Sequence, residues 1–178
     1  MRFRIVLILS LGFGLFSTGY GQVRFQGFGA RLGIVKSENF DATVTPEVFA
    51  DFGKLNDKVM LQARLGYWSQ TSNGGALRDI IIGGSALYEI ETTMAFLTPY
   101  VGGGLSLHIQ RSEVDLSDLL GEEVPRQISS DSDIGFDLKG GAFLNLGEPF
   151  ALNGEIVLTI TEHSQIAAKA GFLIRMNR

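Results

Sequence analysis

The chain has two imidazoles, His108 and His163, and no cysteine. His108 shares an alternating face with Ser106, and Glu155 or Asp137 could stand beside it. Glu162, His163 and Ser164 are consecutive. Serine, imidazole and carboxylate are the groups of a hydrolase that activates a hydroxyl, and either histidine could serve as the base. Consecutive residues of an extended chain point to opposite sides, however, and 162–164 falls at a tight turn. The simpler readings are a hydrogen-bonded interior residue for His108 and an exposed turn residue for His163. The absence of cysteine excludes a disulfide scaffold, a thiol nucleophile and cysteine-ligated metals. Two histidines cannot supply a three-histidine metal site.

A second candidate is the acidic stretch 111–132. Between 111 and 133 it holds seven acids and two bases. Glu113, Asp115, Asp118, Glu122 and Glu123 could present a partner-binding or cation-attracting surface. Leu116, Leu119 and Leu120 with Ser117 suggest one helical turn ended by Gly121. The spacing does not reproduce a twelve-residue calcium loop. The expectation is therefore a solvated acidic loop, with no catalytic, cofactor or metal site and no enzymatic activity.

What must position these residues is β-structure. Alternation with a period of two runs through almost the whole chain, and helical periodicity is nearly absent. Eight strands are expected at roughly 23–35, 44–54, 58–70, 77–90, 96–110, 133–146, 150–162 and 165–177. Splitting each by parity gives one face that is almost wholly uncharged. Leu105, Ile156 and Phe172 belong to it. The other face carries Arg31, Glu47, Asp51, Arg64, Asp79, Glu89, Asp137, Lys139, Glu155, Lys169 and Arg175. A soluble barrel or sandwich would turn the apolar face inward. Two features argue for the reverse. Many strands are near 11 to 14 residues, where soluble strands are usually about five or six and membrane strands need about 9 to 11. Short turns at 54–57, 91–95 and 147–149 alternate with longer loops at 36–43, 71–76 and 111–132, although the last connection, at 163–164, is short; this matches the connection pattern of an outer-membrane barrel.

The pattern thus predicts an all-β fold: an eight-stranded antiparallel up-and-down transmembrane β-barrel with its charges inside. Lipid offers no partner to an open sheet edge, so the last strand must pair with the first. Eight strands leave an interior that side chains just fill, and buried charges of both signs must neutralise one another. Inward glycines make room for the long side chains. Phe52, Tyr88 and Phe150 at the short-turn end and Tyr67 at the other suit interfacial girdles. Trp68 is placed to cap the interior near the long-loop end.

Residues 1–21 read as an export signal: a basic start at Arg2 and Arg4, an apolar run of about 12 residues that is too short to span a bilayer, and small residues before Gln22. Residues 22–178 form one domain. The 15 basic and 19 acidic residues give a net charge of −4, and near −6 without the leader. An acidic chain with no basic cluster argues against a nucleic-acid partner.

With these features in hand, the chain resembles the small outer-membrane β-barrel superfamily of the OmpA transmembrane-domain and OmpX type. The resemblance rests on the opening Phe25-Gln26-Gly27-Phe28-Gly29-Ala30-Arg31-Leu32-Gly33, on Pro99-Tyr100-Val101-Gly102-Gly103-Gly104-Leu105, and on the ending Lys169-Ala170-Gly171-Phe172-Leu173-Ile174-Arg175-Met176. The last is similar to the C-terminal assembly signal, although Arg178 stands where an aromatic usually ends it. The resemblance implies the outer membrane of a Gram-negative bacterium, contact with its lipids and lipopolysaccharide, engagement of the barrel assembly machinery, and a surface protein partner for the loops. It implies a structural or surface-interaction role. The alternatives are a narrow pore, a lipid-modifying enzyme of the lipid A deacylase kind, and a soluble secreted ligand-binding barrel.

Overall fold

A computed structural model describes residues 23–37, 41–72, 75–114, 127–161 and 164–176. The expected leader over 1–21 and its cut before Gln22 lie outside them. The strands are β1 (Gly27–Ser37), β2 (Thr43–Lys54), β3 (Val59–Ser72), β4 (Gly75–Glu89), β5 (Leu97–Val114), β6 (Gln127–Gly147), β7 (Phe150–Ile160) and β8 (Gln165–Arg175). Each pairs antiparallel with its neighbour, and β8 closes on β1 from Gly27↔Arg175 to Ser37↔Gln165. The fold is a closed eight-stranded antiparallel up-and-down barrel.

The alternation in sequence becomes a strict alternation in exposure. In β7, Ala151, Asn153, Glu155, Val157 and Thr159 are buried, while Leu152, Ile156, Leu158 and Ile160 are exposed. Leu32, Leu105, Ile134 and Ile166 stand exposed on other strands. The facing is the inverse of a soluble barrel: apolar outside, polar and charged inside.

The ladder tightens at the short-turn end. Register shifts between Asp51 and Lys54 and between Asn145 and Gly147. Gly53 and Gly147 there have positive φ, 74° and 113°, which a residue with a Cβ adopts only at a cost. In the same region Lys58 Nζ meets Glu91 Oε1 at 2.8 Å. That hydrogen bond and charge raise the lysine's pKa and lower the carboxyl's. The pair's contribution is therefore present above the ordinary glutamate range and is lost as pH falls through the lowered value. Being exposed, it adds little.

The long-loop end departs from expectation. Residues 71–72, 75–76, 111–114 and 127–132, expected as loop, are strand: β3 pairs with β4 out to Ser72↔Gly75, and β5 with β6 out to Val114↔Gln127. Over 111–132 charge density was the signal for a loop, but Gln127 to Ser132 contains neither glycine nor proline. Nothing there stops the hairpin ladder from propagating. The helical turn expected over 116–121 lies outside the described residues.

Inward glycines are needed where a neighbouring chain or ring closes in. A Cβ on Gly29 would lie 2.1 Å from the Phe172 carbonyl oxygen and 2.4 Å from the Phe49 ring, whereas outward Gly84 has nothing within 4 Å. Gly29→Val should therefore cut the refolded fraction several-fold, overpacking typically costing about 1–3 kcal/mol. Gly84→Ala should refold like the wild type. The shift in gel mobility between unheated and heated samples reads both.

Candidate functional site

The interior is layered. At the long-loop end Val35, Trp68, Ile81 and Ala167 form an apolar layer with Leu77 packed on it. Toward the short turns Phe49, Met60, Leu87, Tyr100, Phe143, Ala151 and Leu173 form a second. Between them lies a charge network built from every strand except β4.

Glu47 is its hub. Its Oε1 lies 2.8 Å from Arg31 Nη1, and its Oε2 lies 2.5 Å from Lys169 Nζ and 3.2 Å from Arg64 Nη1. Arg31 spends its whole fork. Nη1 also reaches Glu155 Oε1 at 3.1 Å, Nη2 donates to Gln62 Oε1 at 3.0 Å, and Nε donates to Asn153 Oδ1. Its guanidinium carbon sits 3.8 Å above the Phe49 ring centre, a favourable cation–π placement. Arg64 Nη2 binds Asp137 Oδ2 at 2.7 Å. Asp137 Oδ1 accepts from Thr159 at 2.7 Å and from Ser106 at 3.2 Å. Glu155 Oε2 accepts from Tyr100 at 2.9 Å, and Lys139 Nζ stands 4.0 Å from Glu155 Oε1. The charged side chains here are at most 3% exposed. Charge neutralisation with multiple hydrogen bonds is what makes such burial tolerable.

Of the eleven charged positions that the sequence assigned to the inward face, seven meet here: Arg31, Glu47, Arg64, Asp137, Lys139, Glu155 and Lys169. The other four make no ion pair with them. Asp79 lies level with Trp68, where its Oδ2 meets His108 Nδ1 at 2.8 Å. Asp51 is below the lower apolar layer and accepts from the Gly53 amide at 2.7 Å. Glu89 pairs with Lys54 at 2.5 Å near the surface, and Arg175 donates to Asn145 Oδ1 at 2.7 Å. A reading confined to charged residues left out Gln62, Tyr100, Asn153 and Thr159, whose neutral groups complete the network. Their signal was present, since each has the inward parity.

The acid–imidazole–hydroxyl candidate takes a definite form. Ser106 Oγ is 3.1 Å from His108 Nε2, whose Nδ1 faces Asp79. All three are at most 2% exposed. The hydroxyl also donates to Asp137, so it is a structural link between the histidine and the network. Glu162 and His163 lie outside the described residues. Among the described residues no cluster of three or more His, Cys, Asp or Glu could hold a metal.

Two cavities bear on passage. One of about 260 Å³ opens at the long-loop end, lined in part by Ser37, Trp68, Gln110, Asp131 and Gln165. Below the Trp68 layer the next, beside Thr45, Arg64, Thr159 and Lys169, is about 10 Å³, about the space of one water. Trp68, 1% exposed, caps the interior between them.

Outside the barrel proper, β3 to β6 continue past the rim. β7 ends at Ile160, opposite Phe136, while β6 runs on to Gln127. Its outer part, 127–132, has β5 on one side and no strand on the other among the described residues. Glu113 stands on this extension. Asp115, Asp118, Glu122 and Glu123 lie outside the described residues.

No protein-family model matches the chain, and no curated protein matches it. Solved structures do. Neisserial surface protein A superposes with a TM-score of 0.64 at 16% identity, over 85% of this chain and 96% of that one. The N-terminal β-barrel domain of Pseudomonas aeruginosa OprF gives 0.61 at 13%, over 85% and 98%. The outer membrane enzyme PagL gives 0.51 at 12%, over 83% and 99%. The fold is that of the small eight-stranded outer-membrane barrels. Fold alone does not assign an activity.

Removing the hub charge should be costly, because three cations would then face an amide. Glu47→Gln should destabilise the barrel by about 3–5 kcal/mol. Lys54→Gln, at an exposed pair, should change it by less than about 1 kcal/mol. Urea unfolding in lipid vesicles measures both.

Proposed function

We propose that the protein is an outer-membrane barrel whose role is exercised at the cell surface, by the sheet that stands beyond the rim. A belt of exposed leucine, isoleucine and phenylalanine supports the membrane placement. Each such side chain left in water forgoes about 1.5–3 kcal/mol of burial, which lipid supplies. Strands of 11 residues such as β7 and β8 are long enough to cross the apolar core at the tilt of a small barrel, about 45°. The short turns then face the periplasm and the longer connections face outward.

The observation that carries the surface role is the open β6 edge, 127–132. An unpaired strand edge offers a row of amides and carbonyls to a partner's extended segment. Asp131 and the serines at 129, 130 and 132 keep it polar, which discourages self-association and favours a basic or polar partner strand. Neisserial surface protein A, a surface protein by name, shares the fold. The sealed interior supports a non-conducting barrel, and the enclosed Ser106 supports a non-enzymatic one.

Two measurements test this reading. A photo-crosslinking residue at Ser130 in intact cells should give a discrete protein adduct, and one at Leu105 should give none. Absence of an adduct at Ser130 would contradict a partner at this edge. Single-channel recording in planar bilayers should show no steady conductance, because two apolar layers close the bore. A stable open level would restore the pore alternative.

A further inference from the structure

The lipid-facing side of the strands is nearly devoid of charge, and its exceptions are not scattered. Among the described strand residues they are Lys36, Arg78, Arg111 and Glu113, all at the long-loop end; Lys54 at the other end stands opposite buried Met60 after the bulge and pairs with Glu89 on the inward face. The outward-facing charged residues described on the strands at this end are three cations and one acid.

Two of these cations are forced together. Arg78 on β4 and Arg111 on β5 are direct cross-strand partners, and both point outward and are exposed. Like charges directly opposite on one face of a sheet are destabilising. Arg111 is partly offset by Glu113 at 3.6 Å. Arg78 has no carboxylate partner among the described residues.

The register extends the pair into a row. Ser69 on β3 pairs with Arg78, and Ser130 on β6 pairs with Arg111. Hydroxyl, guanidinium, guanidinium and hydroxyl thus lie side by side on four strands. The next row toward the belt is Tyr67, Ile80 and Ile109 with Ser132. The donors sit one step beyond the aliphatic surface, at the depth where a bilayer changes from acyl chain to headgroup.

We infer that this row binds the phosphate of an anionic lipid headgroup in the leaflet facing the long loops. Guanidinium forks match phosphate oxygens bidentately, and the flanking hydroxyls can donate to the remaining oxygens. A bound phosphate converts the Arg78–Arg111 repulsion into a bridged pair. The acyl chains of the same lipid then lie along Ile80, Ile82 and Leu107, which the belt already presents.

The inference rests on the membrane placement proposed above, and the test separates the two. The full chain is refolded into phosphatidylcholine nanodiscs containing a minor fraction of phosphatidic acid, and retained lipid is read by native mass spectrometry after transfer to detergent. The wild type should retain phosphatidic acid over phosphatidylcholine, and the R78Q/R111Q double variant should lose about tenfold of that preference, the scale of one charge-assisted contact. R78K/R111K, which keeps charge but not the fork, should fall between. K54Q should match the wild type. The single variants R78Q and R111Q give the same reading, at smaller amplitude, should the double variant fail to fold. Failure of the wild type to enter nanodiscs would overturn the membrane placement itself. Insertion with equal retention by wild type and double variant would overturn only the phosphate site. So would displacement of the lipid by millimolar inorganic phosphate, which would identify a site for the free ion.

Discussion

A carboxylate that has been stripped of water must be surrounded by donors, and Glu47 is surrounded by three cations drawn from three strands. Arg31 comes from β1, Arg64 from β3 and Lys169 from β8. The interaction therefore spans the seam where β8 closes on β1. Backbone pairing at that seam supplies the ladder, and the charge cluster supplies a reason for this register. A two-residue slip would carry Lys169 past the carboxylate, and a one-residue slip would turn every charge of β8 toward the belt. The interior charges and the apolar exterior are two consequences of one alternation.

The cluster also determines where function can reside. Among the described residues, side chains fill the bore between two apolar layers and bury the groups with acid–base capability. His108, Ser106 and Asp79 have the bonding order of a hydrolytic triad and none of its access. On the proposed reading, binding and recognition fall to two surfaces that the interior does not consume: the polar sheet above the rim and the ring where the belt ends. Both are assembled from the same four strands, β3 to β6. In this account a partner at the open edge of β6 would dock within one strand of the Arg78–Arg111 row, so lipid and protein contacts would share a single structural support.

Much of this was legible in the sequence because a period of two needs no long-range information. Parity alone separated Arg31, Glu47 and Lys139 from Leu105 and Ile156, and closure followed from the impossibility of a bare edge in lipid. What parity does not contain is height. Asp51, Asp79, Glu89 and Arg175 share the inward parity but lie at other heights, Asp79 level with the upper apolar layer and the rest toward the short turns. Height depends on the stagger between strands, which the register fixes and local pattern does not. Parity applied to charged residues also passed over Asn153, Tyr100 and Gln62, neutral members that bond to Arg31 or Glu155. The extension of β5 and β6 was missed for a different reason: acidic density and the Ser-Ser-Asp-Ser run over 129–132 resemble a loop, although the flanking residues contain neither glycine nor proline. Arg78 and Arg111 were likewise invisible as a pair until β4 was aligned on β5.

Nitroxide labels at Leu105, Ile156 and Phe172 in vesicle-reconstituted protein test the central claim, the orientation of the wall, most directly. Power saturation with oxygen and with a water-soluble nickel chelate reports what surrounds each label. The account predicts strong relaxation by oxygen and almost none by the chelate at all three sites, with the depth falling from the belt's centre toward its rims. Ready access of the chelate, or immobilised labels shielded from both reagents, would mean that the apolar face meets water or packed protein, and the arrangement of charges described here would have to be turned inside out.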